Sequence, residues 1–309
     1  MSIEFHRRML ADRVRHDAFR AALQQVIRSG VSTVADIGAG TGVLAFFARQ
    51  LGAREVWLYD PGPALALAET VAARNAIDGL HFVPERSLDV ADPPRVDIVV
   101  AEVLGNFAYE EDVLETLRDA QRFLLPGGTL IPAAIEQWVA PVTTDRFERD
   151  LRSWRDVGFG LDWSDAERMT RNNMYVYAIE PKDLLADAAL AWDSLAFESP
   201  IASRRTGQVA WQPHTAATIH GFALWWHCTL APGITLSTSP HAPRTHWDQI
   251  YLPALESLTV QAGDELSLRL ECETGGAESG IEVRWTIGHR RHDRAVVEQT
   301  LSIGAGYLG

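Results

Sequence analysis

The sequence predicts an α/β half built on a parallel, doubly wound sheet, followed by an all-β half of barrel or sandwich type. Three observations carry this reading. Strand-like apolar runs alternate with helical stretches as far as Pro132. A glycine-rich turn, Gly38-Ala39-Gly40-Thr41-Gly42, directly follows the first of those runs. Beyond Pro132 the texture changes to short alternating runs separated by turn signals.

Apolar residues at helical spacing (Met9, Val14, Phe19, Leu23, Ile27) predict one helix over Phe5–Arg28, stopped at Gly30. Strands are expected at Thr33–Ile37, Glu55–Tyr59, Leu80–Val83 and Asp97–Val100. Helices lie between them near Val43–Gln50 and Ala64–Arg74. A further helix, Asp112–Phe123, ends before Pro126-Gly127-Gly128, and the strand Thr129–Ile131 runs into Pro132. In the second half, strands are expected at Ile135–Val142, Val209–Trp211, Thr218–Thr229, Leu255–Val260, Glu265–Cys272, Ile281–Ile287 and Val296–Ile303. Pro232-Gly233, Ala262-Gly263-Asp264 and Gly275-Gly276 mark turns. A helical insertion, roughly Asp145–Met169, interrupts this half. No low-complexity linker separates the halves, so they should pack closely.

At 309 residues and 47% hydrophobic content, the chain can bury two cores. The net charge of −13 disfavours nucleic-acid backbones and favours cationic ligands. No run approaches the roughly 20 apolar residues of a membrane helix, and the charged start MSIEFHRRML has no secretory h-region. Cys228 and Cys272 both sit in apolar, strand-like contexts, which fits a reducing cytoplasm and core roles. No metal site is expected.

Chemistry concentrates at two loops. Asp36 precedes a G-x-G-x-G turn that opens a helix, where glycines admit a ligand to the backbone and helix amides face an anion. Asp60 ends the next strand, where an acid can accept from ribose hydroxyls. After the fourth strand, Glu102 and Glu111 stand nine residues apart around a loop containing Gly105. Two convergent carboxylates suit a guanidinium, which pairs with them in a bidentate way. Read alone, the same loop is a solvated acidic turn.

Together these motifs resemble the protein arginine methyltransferase family over nearly the whole chain. Asp36 to Gly42 resembles motif I of class I S-adenosylmethionine (SAM) methyltransferases. Glu102 and Glu111 are similar to the double-E loop that grips the guanidinium, and Thr245-His246-Trp247 to the THW loop. The resemblance implies a Rossmann-like class I methyltransferase domain over residues 1–132, a β-barrel substrate domain over residues 133–309, and a helical dimerisation arm at about 145–174. It implies SAM as cofactor, with Gly38, Gly40, Gly42, Asp36 and Asp60 around it and Arg15 on its carboxylate. Met9 would border the transferred methyl, and Asp12 would hydrogen-bond His246. His246 and Trp247 would face the substrate, and His246 with Asp12 would share in proton removal. The arm, with Phe159, Leu161, Trp163 and Met169, implies a homodimer.

The sequence also departs from the family. No YFxxY segment precedes His6, and Ser87 stands where an adenine-binding Glu is usual. Asn106 replaces a common aromatic, Glu110 adds an acid, and Val113 replaces a Met. The 27 Arg against the single Lys182 point to a high-GC, bacterial-type gene. The expected activity is SAM-dependent N-methylation of an arginine guanidinium, free or in a peptide or protein. The rivals are methylation of another small amine and a catalytically silent dimeric scaffold.

Overall fold

The computed structural model describes residues 3–275, 280–292 and 294–306; Gly276, half of one expected turn, lies outside them. The chain opens with two helices, α1 (Ile3–Leu10) and α2 (Arg13–Val26), rather than the single helix expected over Phe5–Arg28. The break falls at Asp12, which takes extended backbone angles and caps α2 by accepting the Arg15 N–H at 2.9 Å. Helical periodicity continues through such a break, because the cap interrupts the backbone and not the apolar spacing.

Next come β1 (Thr33–Ile37), α3 (Val43–Gln50), β2 (Glu55–Tyr59), α4 (Ala64–Arg74), β3 (Leu80–Val83), β4 (Val96–Ala101), α5 (Val113–Ala120) and β5 (Leu124–Ile131). The five strands pair in parallel in the order β3-β2-β1-β4-β5. Every residue of β1 is buried, as a central parallel strand covered on both faces requires. β5 begins earlier than expected and carries Pro126-Gly127-Gly128 inside an irregular ladder with β4.

After Ile131–Pro132, a cis bond, the chain turns antiparallel at β6 (Ala134–Val142). The insertion holds α6 (Arg146–Leu151) and α7 (Ser164–Arg171). The later strands are β7 (Tyr175–Tyr177), β8 (Leu190–Ala196), β9 (Arg204–Trp211), β10 (Ala217–Ala231), β11 (Ile234–Ser237), β12 (Gln249–Val260), β13 (Glu265–Glu273), β14 (Glu282–Arg291) and β15 (Arg294–Ser302). They form the sheets β7-β12-β10-β6-β8, with β11 on β10, and β15-β14-β13-β9. β7, β8 and β11 lie outside the expected strands: β7 and β11 are too short to show a period, and Asp193 sits mid-strand in β8, where Asp is disfavoured. His289 is buried in β14 and bonded to Asp264 at 2.8 Å.

One continuous core joins the two halves. Phe107, from the loop after β4, stacks on Trp192 of β8 with ring centres 6.4 Å apart. The base of the insertion is fixed by Arg171, which is buried and bonds Glu148, Glu167 and the Ala254 carbonyl. Its tip stays uncovered, with Phe159 92% and Leu161 62% exposed.

Candidate active site

The glycine turn lies against the ends of β2 and β4. The Gly40 N–H donates to Asp60 at 2.8 Å, and the Gly62 N–H donates to the other Asp60 oxygen at 2.7 Å. Gly38 (φ +72°) cannot be replaced freely, because a Cβ there would stand 2.7 Å from the Val103 side chain. Gly42 (φ +78°) caps α3. Asp36 is buried and accepts the Ala45 N–H at 3.0 Å. Burial pushes its carboxyl up to about 7, partly offset by that hydrogen bond.

Two adjoining cavities open here. The larger, about 690 Å³, runs from Gly38 and Asp60 to Arg86, Ser87, Asp112 and Thr116. The smaller, about 280 Å³, holds Met9, Arg15, Glu102, Glu111, His246 and Trp247. His6, Gly38, Asp60, Val103 and Glu111 line both, so the glycine turn and the glutamate pair share one connected space.

Within the smaller cavity, Glu102 is buried at the end of β4 and pairs with the buried Arg15 of α2, whose Nε donates at 2.7 Å and whose Nη2 reaches the same oxygen. The Arg15 Nη1 is buried with no partner among the described residues. Arg15 therefore meets Glu102 directly and keeps one guanidinium nitrogen unpaired. Glu111 adopts φ +58° and reaches solvent at the cavity mouth. Crowding by protein atoms around its carboxyl, then the charges of Glu102 and Glu110, push it up to about 7. The added Glu110 folds under its own loop and accepts the Phe107 N–H at 3.0 Å.

The barrel half fixes this loop from below. Trp247 Nε1 donates to the Leu104 carbonyl at 2.8 Å and Trp226 Nε1 to that of Gly105 at 3.1 Å. Asn106 Oδ1 accepts the Asp248 N–H at 2.9 Å, which gives a reason for a short amide where an aromatic is common. Trp247 is thus both buried core and cavity wall. Asp12 holds the other side, accepting from the His246 N–H at 2.7 Å and pairing with its Nδ1 at 2.8 Å. Burial opposes the Asp12 charge, but hydrogen bonds from His246 and Arg15 outweigh it and hold the carboxyl below its usual range. The Tyr109 hydroxyl donates to Asp193 at 2.6 Å, and Asp193 pairs with Arg205. Sequence reasoning missed Tyr109, Asp193, Arg205 and Trp226; an Asp inside an apolar strand was the one available signal. No group of three or more His, Cys, Asp or Glu among the described residues is placed to hold a metal.

Fold and site together define a Rossmann-like methyltransferase joined to a β-barrel. The family profile for the arginine methyltransferase oligomerization subdomain matches residues 134–285, and that for ribosomal protein L11 methyltransferase matches residues 20–145. Protein arginine N-methyltransferase 6 of Xenopus tropicalis is 30% identical, over 86% of this chain and 82% of its own. The arginine N(omega)-methyltransferase of Streptomyces achromogenes is also 30% identical, over 86% of this chain and 75% of its own. The Trypanosoma brucei PRMT1 enzyme-prozyme complex with AdoHcy superimposes with a TM-score of 0.87 at 22% identity, covering 97% of this chain and 98% of that one. The chain belongs to the protein arginine methyltransferase family.

The residues present fit SAM. The positive-φ glycines leave room at the backbone, Asp60 stands at the end of β2, and the spare Arg15 Nη1 can meet a carboxylate in the cavity between them.

Proposed function

We propose that this protein is a SAM-dependent N-methyltransferase acting on the guanidino group of arginine, carried by free L-arginine, a small guanidine, or a peptide or protein. The single observation that carries this reading is the convergence of Glu102 and Glu111 on one cavity that also touches the glycine turn. Residues 1–132 form the cofactor half and residues 133–309 the substrate half.

When bound, SAM supplies an electrophilic methyl on a sulfonium. Arg15, Asp36, Asp60 and the glycines would hold and orient it, Met9 would border the methyl, and Ser87 lines the larger cavity. The incoming guanidinium is also a cation, and Glu102 and Glu111 offset the repulsion at contact distance, each charge-assisted hydrogen bond contributing about 1.5–3 kcal/mol. They also draw positive charge to the far nitrogens and leave lone-pair density on the attacking one. As that nitrogen is methylated it becomes acidic, and the proton passes to Glu111, whose raised proton affinity suits it as base near neutral pH. Asp12 holds the neighbouring His246 in place, and that pair is the second route for the proton.

We further infer a cytoplasmic homodimer built through the arm at 145–174. The exposed Phe159 and Leu161, the matched oligomerization subdomain and the two buried free cysteines support this. Mass spectrometry after incubation with SAM and either free arginine or an Arg-Gly-rich peptide tests the activity. A mass increase of one methyl on the guanidine is expected, and methylation of neither substrate would refute it.

A further inference from the structure

The larger cavity is bounded by charge at the end away from Arg15. Arg86, in the turn after β3, donates from Nη2 to Asp112 Oδ2 at 3.1 Å, and both side chains line the cavity beside Ser87 and Thr116. Their side chains are 49% and 25% exposed, and an ion pair this open adds little to folding stability. Asp112 is also oddly used. It occupies the N-cap position of α5, yet its side chain makes no cap hydrogen bond and its backbone sits at φ +57°, a strained region for a residue other than glycine. The carboxylate is turned to the cavity when a helix end is available to it.

The position of this pair says what it meets. A SAM molecule with its amino-acid end at Arg15 and its ribose at Asp60 has its nucleobase in the remaining length of the cavity, where Arg86 and Asp112 stand. The amino edge of adenine presents an N–H donor beside a ring-nitrogen acceptor. A carboxylate beside a guanidinium presents the complement, an acceptor next to a donor. Ser87, at the position where a carboxylate is usual, provides only a buried hydroxyl.

We propose that Arg86 and Asp112 together are the base-reading residues of this enzyme, Asp112 accepting from the adenine amino group and Arg86 donating to the adjacent ring nitrogen. The inference rests on the SAM reading above. It also joins cofactor to clamp, because Asp112 directly follows Glu111 in the chain.

Calorimetric titration of the full-length protein with S-adenosyl-L-homocysteine and S-inosyl-L-homocysteine tests it, without substrate, so that Glu111 is not read. The 6-oxo base replaces the amino donor with an acceptor facing Asp112, and its neighbouring N1 carries a hydrogen where adenine offers an acceptor. The wild type should bind the inosyl compound about ten-fold or more weakly. Asp112→Asn should narrow that difference at least about three-fold, because an amide can donate to the 6-oxo group. Arg86→Met keeps the stem and the fold, and should weaken the adenosyl compound several-fold with an unchanged melting temperature. Equal binding of both compounds by the wild type, an unchanged ratio in Asp112→Asn, or unaltered adenosyl affinity in Arg86→Met each overturns the proposal. Wild-type protein that binds neither compound overturns the SAM reading itself, and the proposal with it.

Discussion

Asp12 ties three parts of the protein with one carboxylate, so its removal should cost far more than that of an ordinary surface acid. One oxygen caps α2 through the Arg15 N–H, and the other takes both the backbone and the ring nitrogen of His246. Losing an N-cap costs about 1 kcal/mol. The two bonds to His246, made to an ionised group inside the protein, add about 1.5 kcal/mol each at the lower end for such contacts. Asp12→Ala should therefore lose about 4 kcal/mol, a melting-temperature drop of about 6 °C for a chain of 309 residues. Asp12→Asn restores the cap, since Asn caps as well as Asp, and should recover about 1 kcal/mol of that loss. Scanning calorimetry of both variants beside Asp17→Ala, an exposed acid on the same helix, measures this. If Asp12→Ala melts within about 2 °C of Asp17→Ala, the three-way tie is refuted.

Glu111 is raised from its ordinary 4.5 to about 7, so the folded state holds its proton more tightly than the unfolded chain does and loses stability as pH rises from 4.5 to 7. Glu111→Gln should accordingly raise the melting temperature at pH 8 and leave it unchanged at pH 4, and equal shifts at both would contradict the assignment. In the wild type, kcat/KM should fall as pH drops below about 7, following protonation of the same group. Gly38→Ala should cost more than about 1 kcal/mol and weaken S-adenosylhomocysteine binding, because its Cβ meets Val103 at positive φ; native affinity by calorimetry would count against it. Phe159→Asp should turn the dimer into a monomer by light scattering, whereas a wild type already monomeric at micromolar concentration sinks the dimer reading.

The parallel half was legible because its strands are short apolar runs with glycine and acid punctuation, and β1, β2 and β3 fall on the residues expected. The glutamate pair was legible as a candidate clamp because both acids follow the fourth strand in a short loop. What holds the clamp was not legible. Trp226 is one apolar residue in an expected strand and Trp247 reads as a substrate-facing wall or core, and only the fold brings their indole N–H groups to the Gly105 and Leu104 carbonyls, more than 100 residues away in sequence. Arg15 shows the same limit. Its place in an amphipathic helix says nothing of an ion pair with Glu102, 87 residues distant. The break at Asp12 was hidden for a local reason, since helical periodicity runs through it.

In the proposed function, Glu102 and Glu111 grip a guanidinium beside bound SAM. Glu111→Gln tests it most directly, through S-adenosylhomocysteine affinity by calorimetry and methylated arginine by mass spectrometry on the same preparation. Affinity should stay within about three-fold of wild type and turnover should fall at least about 100-fold, the loss for a positioned acid–base group. Methylation at the wild-type rate would contradict it.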